Sequence, residues 1–227
     1  MIGNFLVRLI VMNKFDNAYK SVNSESYSPN CSLIEFFDFA STRYLQSSHT
    51  DILEVGCGRG LTLSDSNLDL ILSGIEISSE ACSAVNDQRI ICADFLEHPF
   101  DSCFDLILDS HAAHCLSSVD KLKAYFKKSF ETLNQDGLLI IEMMCQHSNF
   151  TADSGFSYDK NDYTLKRENI VHRIILPSRE IEEIVQASGL KIVYLRVDET
   201  LKFIPYSHRS EALPSDPDRL RMICLKD

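Results

Sequence analysis

The chain has 227 residues, 44% of them hydrophobic and 24% charged, which is enough for one domain with a sizeable core. A formal net charge of -11 repels phosphate backbones at long range, so we expect no nucleic acid partner. The eight cysteines form no CxxC pair, and this scatter favours free thiols in a reducing cytoplasm over a disulfide framework.

The N-terminal stretch MIGNFLVRLIVMNKF is apolar, but it is too short to span a bilayer and Arg8 interrupts it. No small-residue cleavage signal follows it, and Met12 is an alternative start, so residues 1–11 need not belong to the native chain. We therefore expect a cytoplasmic protein without membrane attachment.

Hydrophobic patterns divide the rest of the chain into helices and strands. A polar, loop-like segment at 14–30 precedes residues 31–45, whose apolar side chains have helical spacing. Buried strands are predicted for 51–55, 73–78, 89–94, 104–110 and 138–144, and helices for 117–137 and from the N-cap Ser178 to Gly189. Residues 146–170 are predicted to be irregular, and two further strands follow at 190–197 and 219–227.

Strands that alternate with helices predict an α/β fold with a mostly parallel sheet covered on both faces. In such sheets, ligands bind beyond the carboxyl ends of the strands. The loops that follow these strand ends are therefore the places to look for a site.

The segment DILEVGCGRG places Gly56, Gly58 and Gly60 directly after a strand. Glycine there lets the backbone turn sharply and approach a ligand without a Cβ in the way. A tight turn without a ligand is the alternative for the glycines alone. Leu61 stands where the dinucleotide fingerprint GxGxxG needs its last glycine, which disfavours a nicotinamide-dependent dehydrogenase.

Acidic side chains end the next two strands. Glu76 follows Glu54 by about 20 residues, a spacing at which a carboxylate accepts hydrogen bonds from both ribose hydroxyls. Asp94 and Phe95 follow the third strand and suit an adenine amino group and ring face. Singly, Glu76 also fits a helix-start acid and Asp94 an N-cap. Together, at successive strand ends, they indicate a nucleoside ligand.

The segments DILEVGCGRG, GIEIS, ADFLE, FDLILDS and LNQDGLLII follow the order and spacing of the class I S-adenosylmethionine-dependent methyltransferases. The chain resembles this family over about residues 50–145, although LNQDG departs from the Lys-Pro-Gly-Gly turn usual there. The resemblance implies a three-layer α/β/α Rossmann-like methyltransferase fold, with a seven-stranded, mostly parallel sheet and an antiparallel last strand. It also implies S-adenosylmethionine as cofactor, with S-adenosylhomocysteine as product.

In that family the glycine loop faces the methionine part of the cofactor, the acid after the second strand binds ribose, and the acid after the third binds adenine. Carried over residue by residue, the implied cofactor-binding set is Glu54, Gly56, Cys57, Gly58, Gly60, Glu76, Ile77, Asp94, Phe95 and Asp109.

The segment LILDSHAAHCL ends a strand with Asp109, His111, His114 and Cys115. The resemblance places this loop beside the transferred methyl group, so Asp109, His111 and His114 are candidate catalytic residues. A neutral imidazole can take a proton from a hydroxyl or amine.

Two alternatives compete for these histidines. The first is a zinc site, since zinc prefers nitrogen and sulfur ligands; its candidate ligands are His111, His114, Cys115, Cys145 and His147. The spacing of these residues matches no zinc signature, so we expect no metal. The other alternative is that either histidine only packs or caps the following helix.

Segments outside the core motifs are candidates for closing the pocket. We expect one methyltransferase domain over 1–227, made of an N-terminal helical or lid segment (1–45), a cofactor-binding half (50–145), a lid insert (146–176) and a C-terminal helix with strands (177–227). Candidate substrate contacts are Tyr19, Tyr27, His147 and Arg173; filling a satellite core is the alternative for the lid aromatics.

We therefore expect a cytoplasmic enzyme, monomeric or homodimeric, that methylates an oxygen or nitrogen of a small-molecule substrate. A protein or peptide side chain is the alternative acceptor. A non-catalytic S-adenosylmethionine-binding scaffold subunit is the alternative from another functional class.

Overall fold

A computed structural model describes residues 14–17, 19–20, 31–46, 50–66 and 68–227. It divides into two units, Met1–Ser110 and His111–Asp227. The single-domain organisation expected from the sequence stays a prediction. Among the described residues, no helix has both the length and the apolar character needed to cross a membrane.

The first unit contains four parallel strands in the order β3-β2-β1-β4. Its elements are α1 (Cys31–Tyr44), β1 (Asp51–Val55), β2 (Ile71–Glu76), α2 (Ser79–Ala84), β3 (Ile90–Cys92) and β4 (Phe104–Asp109). Register brings Val55 beside Asp109 and Glu76 beside Cys92, so the strands end together at one edge. Each of these strands was predicted within about two residues, which is the usual uncertainty of element boundaries.

Helix α1 buries a stripe of apolar side chains at helical spacing: Leu33, Phe36, Phe37 and Ala40. Helix α2 begins after Ser78, whose hydroxyl accepts a hydrogen bond from the Ala81 amide at 3.2 Å. This cap satisfies one of the amides that a helix leaves without an internal partner. The cap also places the first turn of α2 directly after the predicted ribose-binding acid.

The second unit begins at the loop after β4. Its elements are a 3₁₀ turn (Ala113–Cys115), α3 (Val119–Thr132), β5 (Leu133–Gln146), β6 (Ser157–Asp159), β7 (Thr164–Arg167), β8 (Ile170–Ile174), β9 (Leu176–Pro177), α4 (Ser178–Ala187), β10 (Lys191–Lys202) and β11 (Asp218–Leu225). The last strand, β11, is antiparallel to both β5 and β10, as predicted.

The prediction of an irregular segment over residues 146–170 is wrong. Strands β6, β7 and β8 form an antiparallel three-stranded sheet there, and Glu168 and Asn169 join β7 to β8 with φ angles of 51° and 64°. Two positive φ angles in a two-residue loop define a tight hairpin turn, for which Asn-Gly or Asp-Gly is the usual sequence signal. Glu-Asn lacks the glycine, and the short polar strands lack clear alternation.

The predicted N-cap of the last helix is also wrong by one residue. Pro177 occupies the N-cap with φ -57° and ψ 147°, and Ser178 is the first helical residue. The proline ring fixes φ at a value that an N-cap residue can adopt. Pro177 therefore ends the preceding strand, although it has no side-chain oxygen to accept a hydrogen bond from the helix.

Gly74 in the middle of β2 sets how closely the glycine loop after β1 packs against this strand. A Cβ at this position would lie 2.7 Å from Cys57 Sγ and 2.7 Å from Leu61 Cδ2. We expect Gly74→Ala to lower the free energy of unfolding by about 1–3 kcal/mol through overpacking, as measured by urea unfolding.

Cys57→Ala provides the matched test of this cause. If the Cys57 thiol is the obstacle, the double variant should lose less stability than the two single variants together. Strict additivity of the two losses would show that the overlap at Cys57 is not the cause.

Candidate active site

The glycine loop after β1 takes a conformation that requires glycine. Gly56 and Gly58 have φ angles of 75° and 58°, and the Gly56 amide donates to the Ile75 carbonyl at 2.8 Å. A Cβ on Gly58 would stand 2.5 Å from the hydroxyl of Tyr19. The absence of a side chain at Gly58 therefore lets the Tyr19 hydroxyl approach the backbone of the loop closely.

Glu76 at the end of β2 ties this loop to the start of α2. Its carboxylate is buried and accepts hydrogen bonds from the amides of Gly58 at 2.9 Å and Ser78 at 2.7 Å. Burial raises the pKa of Glu76, against the amide hydrogen bonds of Ser78, Gly58 and Ile77. A carboxylate has about four acceptor positions, so capacity remains for a ribose hydroxyl.

Glu54 at the end of β1 is buried and closes the loop from the other side. Its oxygens accept from the Thr62 amide at 2.7 Å and the Thr62 hydroxyl at 2.6 Å. Burial raises the pKa of Glu54, and the Asp109 carboxyl acts in the same direction against hydrogen bonds from Thr62 and Ser110. Glu54 and the fully buried Asp109 thus share the edge formed by the ends of β1 and β4.

The other predicted cofactor residues take varied positions. The side chain of Cys57 packs on Gly74, burial raises the pKa of its thiol well above the usual range, and the Gly60 amide donates to the Cys57 carbonyl at 3.1 Å. Asp94 accepts from the Leu96 amide at 2.9 Å within a turn, and no helix begins there, so the alternative of a helix N-cap is wrong. Phe95 is buried against Phe100, with ring centroids 5.9 Å apart.

The described residues of the N-terminal segment contact the same edge. Asp16 accepts from the Ser78 hydroxyl at 2.7 Å and the Glu80 amide at 3.3 Å, and the Tyr19 carbonyl accepts from Arg59 Nη2 at 2.7 Å. Tyr19, predicted as a substrate contact, therefore lies against the glycine loop. Asp16 was not predicted from the sequence, because a single acid in a polar segment carries no motif. Tyr27 lies outside the described residues.

His111 belongs to a group of side chains in the second unit that we call the histidine cluster. Its members are His111, His114, Glu142, Phe203, Arg219 and Arg221. His111 Nε2 lies 3.0 Å from Glu142 Oε1, and its imidazole is 28% exposed. Its φ angle of 65° is in the left-handed region, which costs free energy for a residue other than glycine.

His114 is held differently from His111. It is buried, and its Nδ1 accepts a hydrogen bond from the Met144 amide at 3.3 Å. An accepting Nδ1 carries no proton, so the neutral ring has its proton on Nε2. His114 could take a further proton on Nδ1 only by losing the amide hydrogen bond, and this geometry suits packing better than catalysis.

Glu142 was not predicted as a functional residue, although its surroundings carry a signal. It is a fully buried acid within the apolar run LLIIEMM, and Arg219 and Arg221 lie on the neighbouring strand β11. Burial alone would raise its pKa. The hydrogen bond from His111 and the guanidinium groups of Arg219 and Arg221 outweigh burial and lower the pKa of Glu142 to about 2.

The five residues of the alternative zinc set do not converge. His147 Nε2 donates to the Asp216 carbonyl at 2.7 Å, Cys115 Sγ donates to the His111 carbonyl at 3.3 Å, and Cys145 is buried. Within the described part of the chain, no three His, Cys, Asp or Glu side chains are grouped as a metal site requires. Arg173, a predicted substrate contact, lies on β8 and donates to the neighbouring His172 carbonyl at 2.8 Å.

Comparisons with known proteins agree with this geometry. Residues 27–195 match the model of a family described as "Methyltransferase domain". An "Uncharacterized methyltransferase" from Staphylococcus carnosus (strain TM300) is 27% identical over 146 residues, which cover 62% of this chain and 70% of that protein.

Solved structures of similar fold cover nearly the whole chain. An S-adenosylmethionine-dependent methyltransferase from Clostridium acetobutylicum ATCC 824 has a TM-score of 0.60 at 16% identity, over 94% of this chain and 98% of that chain. The CcbJ methyltransferase from Streptomyces caelestis has a TM-score of 0.65 at 13% identity, over 94% and 96% of the two chains.

The chain belongs to the methyltransferase family, since the family model spans most of its length. It is a class I S-adenosylmethionine-dependent methyltransferase with the mixed α/β fold of that class, mostly parallel with an antiparallel last strand. The predicted family, fold class and cofactor are thereby confirmed.

The residues of the first unit fit this cofactor. Gly58 offers backbone that a side chain would cover, and Glu76 keeps acceptor capacity beside it. The ionised forms of the buried Glu54 and Asp109 carboxyl groups would attract a cationic sulfonium. The part played by each of these residues remains a prediction, which the following variants test.

We expect Glu76→Ala to weaken binding of S-adenosylhomocysteine about 10- to 100-fold, because a hydrogen bond to a charged group contributes roughly 1.5–3 kcal/mol. Isothermal titration of the purified protein measures the change. Glu80→Ala is the matched control, since it removes a half-exposed carboxylate four residues away that pairs with Lys20. Equal affinity of the folded Glu76→Ala variant and the wild type would contradict a ribose-binding role.

The low pKa of Glu142 predicts a pH-dependent contribution to stability. Its folded pKa of about 2 lies below the ordinary value of 4.5, so the contribution is present above pH 4.5 and is lost as pH falls towards 2. The shift corresponds to about 3 kcal/mol at neutral pH.

Urea unfolding of the wild type and Glu142→Gln, from pH 7 down to the lowest pH of cooperative unfolding, measures this contribution. We expect the difference between the two proteins to shrink below pH 4.5. Glu183→Gln, which removes an exposed partner of Arg179, should change stability by less than about 1 kcal/mol at every pH. A Glu142→Gln difference that stays constant with pH would contradict the assignment.

Proposed function

We propose that this methyltransferase transfers the methyl group of S-adenosylmethionine to an oxygen or nitrogen of a small-molecule acceptor, with His111 as general base. The observation that carries the proposal is the position of His111. It follows the end of β4 by two residues, and its partly exposed ring is held by a buried carboxylate.

Bound S-adenosylmethionine supplies an electrophilic methyl group on a positively charged sulfur. The residues of the chain then have to orient the acceptor, exclude water and accept a proton, because positioning supplies most of the rate enhancement in such a displacement. His111 is the candidate proton acceptor, and Asp109 at the end of β4 is a candidate for orienting the methionine end of the cofactor.

Between the two histidine candidates, the contacts favour His111. The imidazole of His111 is partly exposed, whereas that of His114 is buried and its Nδ1 is engaged by the Met144 amide. A general base must reach the proton that it removes, so a buried ring with an occupied acceptor nitrogen is the poorer candidate.

A small acceptor suits the surroundings of His111. The ring of Phe203 lies 4.9 Å from that of His111 and 5.2 Å from that of His114, so an aromatic wall covers part of the base. Phe203 belongs in turn to a buried group that includes Phe150, Leu165 and Tyr206. Packed apolar walls with a few polar groups are typical of small-molecule sites.

Release of S-adenosylhomocysteine tests the acceptor class. Cell extract is divided into a low-molecular-weight filtrate and a macromolecular fraction, and each is incubated with enzyme and S-adenosylmethionine. We expect product with the filtrate. Product with the macromolecular fraction alone would point to a protein acceptor, and cofactor binding without product in either fraction would support a scaffold subunit.

His111→Ala should lower kcat with the active fraction about 100-fold or more, the range that general-base catalysis contributes. His114→Gln, which keeps a polar side chain at the neighbouring position, should mainly lower stability. Equal activity of folded His111→Ala and wild type would remove His111 from the mechanism, and a larger kcat loss in folded His114→Gln would reverse the assignment.

A further inference from the structure

Glu142 has more hydrogen-bond partners than are needed to compensate its single negative charge. Arg219 Nη1 and Arg221 Nε each donate to its carboxylate at 2.7 Å, and two guanidinium groups already compensate one buried negative charge. The hydrogen bond with His111 at 3.0 Å is therefore an additional feature, and it uses the same oxygen, Oε1, that Arg219 contacts.

This contact decides which nitrogen of His111 carries the proton. Glu142 stays ionised between two arginines, and an ionised carboxylate can only accept hydrogen bonds. Nε2 of His111 must therefore be the donor, and the lone pair of the neutral ring lies on Nδ1. The tautomer of the proposed base thus follows from the charge state of its neighbour.

The backbone at His111 supplies a second, independent observation. A φ angle of 65° is unfavourable for histidine, and such strained conformations persist where the surrounding structure holds them, often at functional sites. The Cys115 thiol, which donates to the His111 carbonyl at 3.3 Å, and Glu142 hold the two ends of this residue.

We propose that Glu142, fixed by Arg219 and Arg221, is a positioning residue that orients His111 and keeps the lone pair of its neutral ring on Nδ1. The inference rests on the proposed function, in which His111 is the general base. The acceptor loses one proton as it gains the methyl group, Nδ1 takes that proton, and the resulting imidazolium gives it to solvent after product release. The positive charge on the ring then faces the Glu142 carboxylate.

The first readout needs no acceptor. Histidine side-chain ¹⁵N–¹H correlation spectra of the ¹⁵N-labelled protein distinguish a protonated from an unprotonated ring nitrogen, and His111→Asn assigns the signals. We expect the wild type to show His111 with its proton on Nε2. Glu142→Gln should shift the proton towards Nδ1, because its amide can donate to Nε2, whereas Glu142→Asp should retain the wild-type tautomer.

The second readout is the rate with the active extract fraction. Glu142→Gln should lower kcat about 10-fold or more while the acceptor KM stays within about threefold, as expected for loss of transition-state positioning alone. Glu142→Asp should recover part of the loss. Glu183→Gln is the control for removal of a carboxylate, and binding of S-adenosylhomocysteine should remain unchanged in every variant.

The two readouts separate the inference from the function on which it rests. Should Glu142→Gln fail to fold, the tautomer of His111 in the wild type and the kcat of Glu142→Asp carry the test. A wild-type His111 with its proton on Nδ1, or an unchanged tautomer in folded Glu142→Gln, would overturn the inference whatever the activity. Absence of product with every fraction would overturn the proposed function and leave the tautomer result standing.

Discussion

A buried carboxylate is stable only where cations or several hydrogen bonds meet it, and Glu142 imposes this constraint on the second unit. Arg221 lies directly opposite Glu142 in the pairing of β11 with β5, and Arg219 is two residues away on the same face. A slip of β11 by one residue would turn both arginines to the other face of the sheet. The charge within an apolar strand therefore specifies the register of the last strand, beyond what hydrophobic alternation alone would do.

In the first unit, neutral hydrogen-bond donors meet the buried carboxyl groups. Glu54 and Glu76 accept hydrogen bonds from backbone amides and a hydroxyl of the glycine loop and its neighbours, and burial raises the pKa of both. Neutral donors add no positive charge to these sites, whereas two guanidinium groups surround Glu142. The contrast with Glu142 is one of partners: neutral donors meet the buried acids of the first unit, and arginines meet the buried acid of the second.

The sequence predicted the strands and the glycine loop because their signals are local. DILEV and FDLILD are short apolar runs, and three glycines after a strand mark a turn whatever lies around it. The Glu142–His111 contact was missed because it joins residues far apart in the chain, and a pattern search reads LLIIEMM as a strand with one polar exception. The small sheet at β6–β8 was missed because its hairpin uses Glu168 and Asn169 in place of a glycine turn. Choosing between His111 and His114 required hydrogen-bond geometry, which spacing alone does not contain.

The contacts of Asp16 and Tyr19 bear on where the first unit begins. Asp16 accepts hydrogen bonds from Ser78 and Glu80 at the start of α2, and Tyr19 lies over Gly58 and accepts from Arg59. A shortened protein that starts at α1 would lose an acceptor for two donors beside Glu76 and would remove the Tyr19 side chain from Gly58. Asp16 and Tyr19 are thus an integral part of the first unit, and any attempt to minimise this protein, or to graft the glycine loop and the start of α2 onto another scaffold, has to carry them along.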